Sequence, residues 1–176
     1  MTVSLLVWLL AAVLLFWSVG AYNRLVRLRA EVNAAFAALD APLLQQAQLA
    51  ASLAPVEAPL EQAPFLRAIQ GASSQLMLSL AAVRARPLAG DDVAALAVAW
   101  QAMNQAWERA EREDAHDLAG PQLPDGIIHS HLALGQQAEA AAVVFSAAVD
   151  RYNLAIAQFP ASLLASLFGF QPGRGL

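Results

Sequence analysis

The chain has 176 residues, 59% of them hydrophobic and 14% charged, with a formal net charge of −4. That length holds one domain, and the composition is more apolar than that of an ordinary soluble domain. All ten cations are arginines without a dense cluster, which leaves no electrostatic footprint for nucleic acid; with no cysteine, disulfide and thiolate chemistry are excluded.

Residues 2–21 carry no charge, and neither does Tyr22. About 20 helical residues cross the ~30 Å hydrocarbon layer of a bilayer, so this stretch is expected to be a transmembrane helix. Trp17 and Tyr22 fall near its far end, where aromatic side chains favour the interface, and Arg24, Arg27 and Arg29 follow. Positive charge stays on the cytoplasmic side, so the N-terminus is expected outside and the rest of the chain inside. A cleaved signal peptide is the competing expectation, with Ser18, Gly20 and Ala21 at a plausible cleavage site. Against it, no cation precedes the apolar run, and the run is long for a signal sequence.

Residues 22–176 read as helical throughout. Leu25, Leu28, Val32, Ala35 and Leu39 recur at three and four residues, a coiled-coil-like seam continuous with the membrane span. Pro42 removes a backbone donor and is expected to interrupt and kink this helix near residues 38–41. Helical composition then resumes until Pro55, and Pro55, Pro59 and Pro64 bracket a connection. A second helix is expected from about Pro64 to Arg86, buried through Phe65, Ile69, Ala72, Leu76, Leu80 and Val83 and stopped by Pro87. Asp91 or Asp92 is the expected N-cap of a third helix, with a seam of Val93, Leu96, Trp100, Met103, Trp107 and Ala110. Residues 120–126 form the next connection. The fourth helix is expected from about Ile127 to Phe159 with a seam of Ala138, Ala142, Phe145, Val149, Tyr152, Ile156 and Phe159, ended by Pro160.

Each helix has one apolar face, and short connections make neighbours antiparallel. The expected fold is all-α: an N-terminal transmembrane helix continuing into an antiparallel up-down four-helix bundle. Even passage through the bundle returns Phe159 to the bilayer side. The uncharged stretch "FPASLLASLFGF", residues 159–170, is then expected against either the membrane or the bundle base, and packing on the protein is preferred because it lacks the basic face of an interfacial helix.

Candidate chemistry is sparse. His129 and His131, with His116, Asp114, Asp117 and Asp125 nearby, could ligate Zn or Mn, but residues two apart on a helix point to different sides. Charged residues between Trp107 and Asp114 fit a solvated face, with Glu108 and Arg112 paired at i,i+4. Aromatic residues seven apart, Trp100 with Trp107 and Phe145 with Tyr152, fit a core better than a cofactor site. Tyr-Asn occurs twice, at Tyr22–Asn23 and Tyr152–Asn153; both pairs are expected near the membrane-proximal end, bonding across helices to lock register. No phosphate loop, catalytic triad order or glycosylation acceptor is present. The chain is therefore expected not to be an enzyme, with no catalytic, cofactor or metal residues assigned.

The membrane helix followed by "YNRLVRLRAEVNAAFAALD" (residues 22–40), with "RYNLAIAQFPASLLASLFGF" (residues 151–170) at the other end, resembles the LemA family. The resemblance covers most of the chain and is most specific at these ends. It implies a bacterial, single-pass membrane protein with a helical-bundle domain and no established activity. The chain departs from the family pattern in two places. Gln45, Gln46, Ala47, Gln48, Leu49, Ala50, Ala51, Ser52 and Leu53 stand where members carry Arg and then Asp-Leu-Ile-Pro-Asn-Leu, and Phe145 and Ser146 stand where members carry an earlier Tyr-Asn. The expected role is an interaction or scaffolding module of the inner (cytoplasmic) membrane, held in the lipid bilayer by residues 2–21. It would meet a protein partner through exposed faces such as residues 45–48. A metal-dependent enzyme or sensor using His116, His129 and His131, or a cleaved, exported helical protein, are the alternatives.

Overall fold

A computed structural model describes residues 2–53, 64–116 and 125–176. Those residues form five helices and no strand: α1 Thr2–Ser52, α2 Pro64–Ala85, α3 Gly90–His116, α4 Asp125–Ala157 and a short α5 Ala161–Leu167. The connections expected at Pro55 and Pro59, and most of that at residues 120–126, lie outside the described residues.

Helix α1 is one uninterrupted element of 51 residues, about 75 Å long at 1.5 Å per residue. Pro42 lies inside it, contrary to the expected interruption. Pro42 costs the bond that Ala38 would otherwise receive, and it is buried in the fold. The first part of α1 stands free of the rest. Leu6, Val7, Trp8, Leu9, Leu10, Val13, Leu14, Leu15, Phe16 and Val19 are all exposed, while Leu25, 1% exposed, opens the core.

The seams then bury as their spacing dictates. Leu25, Leu28, Val32, Ala35 and Leu39 of α1 are buried, as are Ile69, Leu76, Leu80 and Val83 of α2. Val93, Leu96, Met103, Trp107 and Ala110 of α3 join them, with Ala138, Phe145, Val149, Tyr152 and Ile156 of α4. Phe159 departs from its expected place and is 81% exposed. Helix α4 ends at Ala157, so the 3.6-residue period no longer governs where Phe159 points.

Helix α1 packs along α4 and α2, α2 along α3, and α5 against α1 and α4. Phe36 meets Phe145 edge-on at 5.9 Å, and Arg151 lies 4.0 Å from Glu31. Ser73 donates to the Ala47 carbonyl at 2.8 Å, and Arg84 to Asp40 at 2.8 Å. Trp107 of α3 stacks on His131 of α4 at 4.3 Å. Asp91 and Asp92 fall in the first turn of α3; the helix starts at Gly90, so neither is the expected N-cap. There they face the positive end of the helix dipole, and Asp92 also takes an ion pair from Arg86 at 3.0 Å.

Candidate functional site, a polar cleft beside the C-terminal strap

The last residues are not a loose tail. Gly169 has φ +70°, in the left-handed region, directly after α5. The Phe170 N–H reaches back to the Ala165 carbonyl at 2.9 Å, which closes the helix and reverses the chain. Residues 171–176 then run back along α4 as a strap. The Tyr152 hydroxyl donates to the Gln171 carbonyl at 3.0 Å. The Asn153 amide holds Gly173 at both ends, donating to its carbonyl and accepting its N–H, each at 2.9 Å. Ser146 accepts the Leu176 N–H at 3.1 Å and donates to the Leu176 carbonyl at 3.2 Å. A Cβ on Gly175 would lie 3.2 Å from the backbone of Ser146 and 2.8 Å from its hydroxyl oxygen, so only glycine allows this approach.

The Tyr-Asn pairs thus do something other than expected. They do not bond across helices to each other. Tyr152 and Asn153 bind the strap, while Tyr22 packs its ring on Phe168 at 5.0 Å and Phe170 at 6.0 Å; Asn23 is exposed. Tyr22, Tyr152 and Asn153 all address the C-terminal segment, whose lack of a helical period hid that role from the sequence. The readable signal was the proline-glycine composition of residues 171–176, which fits a chain laid closely on another.

Beside the strap lies a cavity of about 730 Å³. Its polar wall is Arg29, Asn33 and Asp40 of α1, Arg84 and Arg86 at the α2–α3 turn, and Tyr152 and Gln171. Phe36 and Phe170 supply apolar surface. Asp40 is matched to Arg84, and Arg86 to Asp92, which leaves the cleft with an excess of positive charge from Arg29. Burial pushes the Tyr152 phenol above its usual pKa, and the Arg29 charge pulls it back. The hydroxyl is committed to the strap as a donor. The arrangement suits polar recognition and offers no paired acid and base around a reacting atom.

The histidine candidates separate. His131 is 7% exposed and lies flat on Trp107, whereas His129 is exposed. Burial lowers the His131 pKa to about 4, so the imidazole is neutral in the fold. The side chains of Asp114, His116, Asp117 and Asp125 lie outside the described residues. Among the described residues no three His, Asp or Glu side chains come together to hold a metal. Glu108 and Arg112 form the expected exposed pair at 4.0 Å. Trp107 and Phe145 are core residues, with Trp100 partly buried against them. The glutamine stretch is split: Gln45 and Gln48 are exposed, but Gln46 is fully buried, so residues 45–48 do not form one outward polar face. Compared with protein-family models, with curated proteins and with solved structures, the chain gives no match.

Proposed function

We propose that this chain is a single-pass membrane-anchored helical module, a divergent relative of the LemA family, that works by binding rather than by catalysis. Residues 2–21 are the anchor and residues 22–176 the module. The observation that carries this is the continuity of α1. One helix presents exposed apolar side chains from Leu6 to Val19 and then, from Leu25 onward, a buried seam. Each leucine or phenylalanine side chain left in water forgoes ~1.5–3 kcal/mol of burial, and a bilayer removes that cost for the whole stretch. The Ser18 hydroxyl donates to the Leu14 carbonyl at 2.7 Å, which satisfies it inside hydrocarbon. Helix α4 is also long and apolar enough to cross a membrane, but its buried stripe faces α1 and the core.

The module is an antiparallel up-down four-helix bundle in this reading. As α1 advances from Glu31 to Phe36, its partners on α4 retreat from Arg151 to Phe145. As it advances from Asp40 to Ala47, its partners on α2 retreat from Arg84 to Ser73. The family resemblance rests on the residues of the two chain ends. The arginines after residue 22 favour the module on the cytoplasmic side of a bacterial inner membrane. The cleft walled by Arg29, Arg84, Arg86 and Tyr152 supports a binding role, with a protein partner as its expected occupant.

Alkaline carbonate washing of vesicles tests the anchor: the full chain is expected to stay in the pellet, and its release would end this reading. A cytoplasm-only reporter fused to the C-terminus is expected to be active; a dark fusion would reverse the orientation.

A further inference from the structure

The C-terminal helix carries an apolar surface that the protein leaves uncovered. Ala165 of α5 is buried and Phe168 and Phe170 meet Tyr22. On the outside, Phe159 is 81% exposed, Leu163 62%, Leu167 75% and Phe168 56%. Leu163 and Leu167 are four residues apart on one side of α5. The only hydroxyl beside them that is exposed, Ser166, is satisfied by donating to the Leu163 carbonyl at 2.9 Å. No charged residue occurs from Phe159 through Gly173.

The position of this surface says what covers it. Phe159, Pro160 and Ala161 share a notch of about 360 Å³ with Trp17, Gly20, Ala21 and Arg24 of α1. Trp17 to Ala21 are the last turn of the uncharged span, where the anchor leaves hydrocarbon. The exposed apolar face is therefore continuous with that of the anchor and at the depth of its interfacial aromatics. An interfacial segment ordinarily carries its own basic residues; here Arg24 and Arg27, both exposed on α1, supply that charge from the neighbouring helix.

We propose that α5, with Phe159, is a second membrane contact. It lies in the headgroup–acyl boundary of the leaflet from which the anchor emerges, with Phe159, Leu163, Leu167 and Phe168 in lipid. Phe168 and Phe170 also pack on Tyr22, which ties the segment to α1, so the module is braced on the bilayer at two points and the cleft is held above the headgroups. This rests on the anchored reading, and it reverses the sequence-based preference for the apolar stretch packing wholly on the protein.

The absence of cysteine in the chain permits single labels in the full-length protein. Leu10→Cys, Leu132→Cys, Leu163→Cys and Leu167→Cys each replace an exposed residue, so folding is preserved. Each variant carries an environment-sensitive fluorophore and is reconstituted into phosphatidylcholine–phosphatidylglycerol vesicles. The label at 10 is expected to lose most emission to nitroxides placed deep in the acyl chain. Labels at 163 and 167 are expected to shift to the blue and to be quenched most by nitroxides near the headgroup, and the label at 132 only by aqueous iodide. If 163 and 167 behave like 132 while 10 is quenched deeply, the second contact is wrong and the anchor stands. If 163 and 167 shift to the blue but escape both quenchers, a second copy or another protein covers the surface, and the proposal is overturned. If 10 itself responds only to iodide, the anchor fails and this proposal fails with it.

Discussion

Gln46 brings a whole amide into the core, and neither its oxygen nor its nitrogen has a hydrogen-bond partner among the described residues. Burying an unpaired amide costs roughly 1–3 kcal/mol by mutational measure, and Met fills a similar volume without that cost. Gln46→Met is expected to stabilise the protein by about 1–2 kcal/mol in urea unfolding. A loss of stability would mean that the amide is satisfied in solution. His131 gives a pH dependence with a definite sign. Its pKa falls from 6.5 to about 4 in the fold because burial disfavours the cation. Between those values the unfolded chain takes up a proton that the folded chain refuses. The contribution is thus fully present above pH 6.5 and is lost progressively as pH falls toward 4. Urea midpoints at pH 7.5, 6 and 5 are expected to decline in sequence, and His131→Leu is expected to flatten that decline. A decline of equal size in the variant would assign it to other groups.

At the scale of elements, the strap is the part whose stability can be separated from the rest. Tyr152 holds it by one hydrogen bond and Asn153 by two. Net contributions run near ~1 kcal/mol per bond, so Tyr152→Phe is expected to cost about 1 kcal/mol and Asn153→Ala about 2 kcal/mol. Amide exchange at Gly173 and Leu176 is expected to accelerate in both variants. Unchanged protection there would show that the strap is held by packing alone. Gly175→Ala tests the packing itself, because its Cβ would press on the backbone of Ser146. Carboxypeptidase is expected to trim that variant faster than the parent, and an equal rate would mean that the strap accommodates the methyl group.

For the whole molecule, the helical seams were legible because burial on a helix repeats at 3.6 residues, and an apolar side chain at each third or fourth position has one place to go. Leu25 through Leu39 and Val93 through Ala110 follow that rule. The apolar N-terminal part of α1 was legible for a simpler reason, since an uninterrupted uncharged run has no polar face to turn to water. What the sequence could not settle was every feature that depends on which helix lies beside which. Pro42 reads as an interruption in one dimension, yet α1 runs through it with the residue buried. Gln46 reads as surface and is core; Tyr152 and Asn153 read as register locks and hold a strap. Phe159 reads as the last step of a seam and faces outward past the helix end. Periodicity is a local property, so the sequence by itself determined the helices and their apolar faces. The cleft and the setting of α5 join residues more than a hundred positions apart, such as Arg29 with Tyr152 and Tyr22 with Phe168, and the strap folds back on α4 across a chain reversal that no helical period marks; only tertiary packing could bring them together.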